Sequence, residues 1–142
     1  RSGMRVVIDT NVLVSGIFWR GKPFQILNFW SNGSIEVVAS AEILEEYTRV
    51  LREIGRRYGR SDLAESWNGF IFQNVRIVEA KAQFKKCRDP FDNKFIDCAI
   101  SSDAEIIISG DDDLISLEHV GKILILNCEQ AFSFLDKRGS AS

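Results

Sequence analysis

The sequence predicts an α/β domain built on a mostly parallel sheet of five strands. Short β-branched runs alternate with segments of helical periodicity along the chain, the pattern of strands joined by helical crossovers. Two of those runs, Val6-Val7-Ile8 and Ile106-Ile107-Ile108, are apolar without alternation, as strands covered on both faces are. Both stop abruptly in polar residues, Asp9-Thr10-Asn11 after the first and Ser109-Gly110-Asp111-Asp112-Asp113 after the second. Ligands of open parallel sheets bind beyond the carboxyl ends of the strands, so both acid groups are expected at one rim. Unpaired carboxylates there are costly, and the natural guest of a shared acidic site is a hard divalent cation.

The elements follow in order. Residues 5–9 read as the first strand. Residues 11–17 begin a helix, broken by Gly21-Lys22-Pro23, and residues 24–31 form a short aromatic helix. Ile35 to Ala39 is the second strand. Ser40 is a good N-cap, with Ile43, Leu44, Tyr47, Val50, Leu51 and Ile54 at helical spacing after it. Residues 61–73 continue as helix and Val75 to Val78 as the third strand. A helix over 92–102, strands over 105–109 and 123–126, and a short helix from Glu129 to Leu135 complete the chain.

At 142 residues and 45% hydrophobic content, one domain with a real core is expected, over residues 4–136. Arg1-Ser2-Gly3 reads as a remnant ahead of a natural start at Met4, and 137–142 as a foreign or disordered tail. No apolar run is long enough to span a membrane and no signal peptide is visible. Cys87, Cys98 and Cys128 are odd in number and widely spaced, which disfavours a zinc motif or a disulfide framework; the reducing cytoplasm is the simplest compartment. The net charge of -2 argues weakly against a broad nucleic-acid-binding face. Arg49, Arg52, Arg56, Arg57 and Arg60 nevertheless lie close together in sequence.

Helical periodicity sorts the remaining acids. On the wheel after Ser40, Glu46 falls at the border of the apolar face, about 95° from its centre, and Glu45 about 160° away. Glu46 is therefore the glutamate placed to look into a cleft, while both also suit a solvated helix surface. In the next acidic segment, Phe95, Ile96, Ala99 and Ile100 define the apolar side; Asp92 lies within about 10° of it and Asp97 about 130° away. Taken alone, Asp92 reads first as an N-cap after the Pro90 turn, and Asp89 as a turn residue. Asp111 is aimed at the rim of Asp9, Asp112 at solvent, and Asp113 at a supporting or helix-start position. Carboxylates, carbonyls and water suit Mg²⁺ or Mn²⁺, and such a site can deprotonate water and offset charge on a phosphoryl group.

Ile8-Asp9-Thr10-Asn11-Val12-Leu13, Glu46 before Val50-Leu51, Asp89-Pro90-Phe91-Asp92-Asn93-Lys94-Phe95 and Ser109-Gly110-Asp111-Asp112-Asp113-Leu114 together resemble the PIN domain. The resemblance is strongest to the bacterial and archaeal branch that includes VapC-type toxins and toxin-antitoxin PIN proteins. It spans Met4 to Leu135 in order; each motif alone is weak and the ordered set is fairly specific. It implies a three-layer α/β/α fold and a metal-dependent ribonuclease. The acids at its sites would be Asp9, Glu46, Asp92 and Asp111, supported by Asn11, Ser109 and Asp113. The expected substrate is single-stranded or loop RNA, whose backbone can be splayed into a cleft. Lys94, Arg49 and Arg52 are expected to contact phosphate, although a solvated helix face explains the arginines equally. A cognate antitoxin and a homodimer are the expected partners. Trp19, read as lying in the loop before Gly21, and Trp67, Phe70 and Phe72 could mark an interface.

Three rivals remain. A haloacid-dehalogenase-type phosphatase wants an acid two residues after the first, where this chain has Asn11. A phosphoacceptor receiver domain would leave Glu46 and Asp92 idle. A non-catalytic PIN-like scaffold that binds RNA or protein would carry the same residues without turnover.

Overall fold

The computed structural model describes residues 3–81 and 93–141, and its elements alternate as the sequence implies. In chain order they are β1 (Met4–Ile8), α1 (Thr10–Trp19), α2 (Gly21–Ser31), β2 (Ile35–Ala39), α3 (Ala41–Arg57), α4 (Ser61–Asn74) and β3 (Arg76–Ile77). Then come α5 (Asn93–Ser102), β4 (Ile106–Ile108), α6 (Asp112–Ile115), β5 (His119–Val120), β6 (Ile123–Leu126) and α7 (Cys128–Ala141).

The sheet has six strands in the order β3-β2-β1-β4-β6-β5, one more than the sequence reading. The addition is β5, which pairs antiparallel with β6 through His119 opposite Leu124 and Val120 opposite Ile123. Two residues carry no readable period, so this strand exists only through its partner. Every other pairing is parallel. At the centre Val6, Val7 and Ile8 align with Ile106, Ile107 and Ile108, and all six side chains are fully buried. Helices on both faces account for that: α5 lies across β1, β2 and β4, while α1, α2 and α7 pack together on the other side.

Strand order decides where a cleft can form. The chain leaves β1 for β2 on one side, whereas β4 pairs with the opposite edge of β1. The connections after β1 and β4 therefore diverge, opening a crevice at their carboxyl ends, the usual ligand position in such sheets.

The helical boundaries differ in physical detail from the sequence expectation. The break between α1 and α2 is a single residue, Arg20, at φ 64°. Pro23 sits in the first turn of α2, where a missing N–H costs nothing. Trp19 thus ends a helix and is not in a loop. Gly16 allows α2 to close on α1, since a Cβ there would stand 2.8 Å from Leu27 Cδ1 and 3.0 Å from the Pro23 backbone. Helix α7 continues to Ala141, beyond Leu135, where its apolar periodicity ends. Arg138 within the extension pairs with Glu105 at 3.5 Å. Among the described residues no helix is long and apolar enough to cross a membrane.

Candidate active site

Asp9 is the first residue past β1 and the N-cap of α1, and it is only 5% exposed. Its own N–H donates to Ile108 O at 2.9 Å, which fixes it to the neighbouring strand end. One carboxylate oxygen, Oδ1, accepts the Asn11 N–H at 3.3 Å; the other, Oδ2, accepts the Ser109 hydroxyl at 2.6 Å. Ser109 is fully buried, and its Oγ also accepts the Asp111 N–H at 2.9 Å. One hydroxyl therefore ties the two acid-bearing loops together across the crevice. Asp111 caps α6, with Oδ1 accepting the Asp113 N–H at 2.8 Å.

Glu46 joins from α3. Its Oε2 accepts the Thr10 hydroxyl, and its Oε1 lies 3.0 Å from Lys94 Nζ at the start of α5. The next residue, Tyr47, is fully buried and donates its hydroxyl to Ile8 O, pinning α3 to the end of β1. The tyrosine hydroxyl is held well above its ordinary pKa, chiefly by burial, with Cys98, Asp9 and Glu46 adding to it. It acts as a neutral donor.

Burial is also the main reason the pKa of Asp9 is raised. The Ser109 and Asn11 hydrogen bonds oppose the shift, and the charges of Asp111 and Glu46 reinforce it. The three acids are thus within electrostatic reach of one another. Burial likewise pushes the thiols of Cys98 and Cys128 up to about 11, so neither is a ready nucleophile.

The structure thus brings Asp9, Glu46, Asp111, Ser109 and Asp113 to one rim. Asn11 serves it through its backbone, its side chain being exposed. Thr10 and Tyr47 were missed as site residues: the first shows only as a hydroxyl beside Asp9, the second only as one apolar position on α3. Asp92, with Asp89, Pro90 and Phe91 of the same motif, lies outside the described residues. Arg49 and Arg52 sit on the exposed face of α3, paired with Glu45 at 3.3 Å and Glu65 at 2.8 Å. They line a groove with Leu44, Thr48, Arg56 and Phe72 whose walls include none of the site acids.

Oxygen donors of this kind suit a hard divalent cation. Among the described residues, however, no three His, Cys, Asp or Glu side chains stand close enough to hold an ion. Asp9 and Asp111 fit the chemistry, and a further acid is needed to complete the set.

The sequence pattern of the PIN domain matches residues 5–113, most of the chain and all of this rim. The chain belongs to the PIN domain family. The uncharacterized protein MJ1680 of Methanocaldococcus jannaschii is 38% identical over 128 residues, which cover 87% of this PIN chain and 81% of that protein. Among solved structures, VapBC2 from Rickettsia felis, bound to a DNA fragment from its promoter, superposes with a TM-score of 0.60 at 13% identity. The match covers 87% of this chain and 98% of that one, and it speaks for the PIN fold alone.

Proposed function

We propose that this PIN domain is a metal-dependent endoribonuclease that hydrolyses phosphodiester bonds in single-stranded or loop RNA, as the toxin component of a toxin-antitoxin pair. The observation that carries the reading is the buried Asp9 carboxylate, oriented by Ser109 and Asn11 at the crevice between β1 and β4, with Asp111 beside it. A buried acid so placed is costly to the fold and is retained where it serves a site.

Asp9, Asp111 and Asp92 would hold Mg²⁺ or Mn²⁺, with Glu46 at the margin. A divalent cation there would lower the pKa of a water and offset charge on the phosphoryl group. The chain's own part is orientation. Ser109 and Asn11 fix both oxygens of Asp9, Asp113 fixes one oxygen of Asp111, and Thr10 with Lys94 fixes Glu46. The remaining lone pairs of these carboxylates are what a cation and a water would meet. The likeness of the fold to VapBC2, together with the motif set, supports a cognate antitoxin as partner. The exposed edge-on pair of Trp19 and Tyr58, 5.5 Å between ring centroids, offers surface for the expected homodimer.

The test is cleavage of a fluorophore-quenched single-stranded RNA in Mn²⁺, Mg²⁺ or EDTA. Cleavage by the parent with either metal, lost in EDTA and reduced at least about a hundredfold in Asp9→Asn, is the expected result. An Asp9→Asn protein as active as its parent would sink the reading. A parent inert on several RNAs that still binds them would point to the non-catalytic scaffold.

A further inference from the structure

The three described acids are not held alike. Asp9 and Asp111 are oriented by neutral donors, a hydroxyl and backbone N–H groups, which leave their charge in place. Glu46 is held by a cation. Lys94 Nζ stands 3.0 Å from its Oε1, and the Lys94 side chain is only 9% exposed against 21% for Glu46. The Thr10 hydroxyl takes the other oxygen, so α1, α3 and α5 all fix this one carboxylate. The ammonium also lies 4.9 Å from the centroid of the Phe95 ring, which covers it further. A lysine so enclosed is not the mobile surface cation that tracks an RNA backbone. Its charge falls on Glu46, and at this separation in a shielded place the two charges largely cancel toward anything nearby. Consistently, Asp9, Glu46 and Asp111 do not close into a three-carboxylate ligand set.

We propose that Lys94 is a positioning residue that holds Glu46 out of metal coordination, so that the pair stands as a neutral unit beside a cation bound by the aspartates. Glu46 then serves as a fixed acceptor for water or substrate at the margin of the site. The inference rests on the divalent-cation reading above.

Mn²⁺ binding to the full chain, followed by calorimetry and by the loss of the free-ion electron paramagnetic resonance signal, tests it without recourse to turnover. The double variant Lys94→Met/Glu46→Gln exchanges the ion pair for a neutral pair of similar size, a change folds commonly tolerate. It should bind Mn²⁺ with the parent's stoichiometry and within about threefold of its Kd, while kcat on RNA at saturating Mn²⁺ falls about tenfold or more. Lys94→Met alone releases the Glu46 charge and should bind Mn²⁺ about fivefold tighter or more, and Lys94→Arg, which keeps the charge, should restore the parent's Kd. A double variant that loses about tenfold in affinity makes Glu46 a ligand and overturns the inference, as does a folded Lys94→Met with unchanged or weaker binding. Should Lys94→Met fail to fold, the double variant decides alone. A parent that binds no Mn²⁺ removes the metal reading itself; a parent that binds while the double variant does not removes only the role of Lys94.

Discussion

Asp9 shows how a single residue can serve a site at the expense of its fold. Burial and the neighbouring charges of Asp111 and Glu46 raise its pKa in the folded protein above the ordinary aspartate value. The folded state therefore holds this proton more tightly than the unfolded chain. The stability that follows is complete below the unfolded pKa and is lost as pH rises through the raised folded value. Near neutral pH Asp9 is a net cost. Asn at this position would still cap α1, with Oδ1 accepting the Asn11 N–H and Nδ2 donating to Ser109 Oγ. Thermal melts in EDTA should thus show Asp9→Asn with a higher Tm than the parent at neutral pH, the gap narrowing as pH falls toward about 4. A parent more stable than the variant across that range would mean the carboxylate is stabilised in place. Much of this residue's role is readable in the sequence, because an acid ending a buried strand stands out. The bond from Ser109 to Asp9 spans one hundred positions and depends on β1 and β4 being neighbours, which no local pattern states.

The elements were legible where periodicity was strong and hidden where contact alone makes them. Helix α3 is the clear case: its apolar spacing separated Glu46, which reaches the site, from Glu45, which is 66% exposed at the side chain and pairs with Arg49. The acidic turn at Asp111 and the N-cap at Ser40 followed from their residue types. The two-residue β5, the one-residue break at Arg20 and the ion pair from Lys94 to Glu46 did not, since each is fixed by its tertiary neighbours. Glycine positions separate the same two influences. Gly55 faces α4 so closely that a Cβ would stand 2.8 Å from Ala64 Cβ and 3.1 Å from Arg60 O. Gly69 lies on the exposed side of α4, and a Cβ added there would meet nothing within 4 Å. Helix propensity alone favours alanine at both by about 1 kcal/mol. At Gly55, overpacking against a rigid methyl costs about 1–3 kcal/mol, so Gly55→Ala should lower the urea midpoint while Gly69→Ala raises it. Equal shifts of the same sign would show that the α3–α4 contact yields freely.

At the scale of the whole molecule, the site is a junction between two halves of the sheet. On one side of the crevice β1 leads through α1 toward β2 and β3; on the other, β4 leads through α6 toward β6 and β5. Direct links across the carboxyl ends are few: the β1–β4 ladder, the Asp9 N–H to Ile108 O, and the Ser109 hydroxyl shared by Asp9 and Asp111. Opposing these links are carboxylates that raise one another's energy across the same gap. A cation seated between them would reverse the sign of that contribution and join the halves. Because it would bind the folded chain and not the unfolded one, Mn²⁺ should raise the unfolding free energy as RT ln(1 + [Mn²⁺]/Kd), about 2.7 kcal/mol at a hundred times Kd. Tm followed against Mn²⁺ concentration should climb logarithmically in the parent and stay flat in Asp9→Asn, whose metal-free Tm is already the higher. The two proteins should therefore converge, and the parent should overtake, once Mn²⁺ is well above its Kd. A parent whose Tm does not respond to millimolar Mn²⁺ would place the stabilisation of this junction elsewhere, with the acids left as a buried cost that no cation offsets.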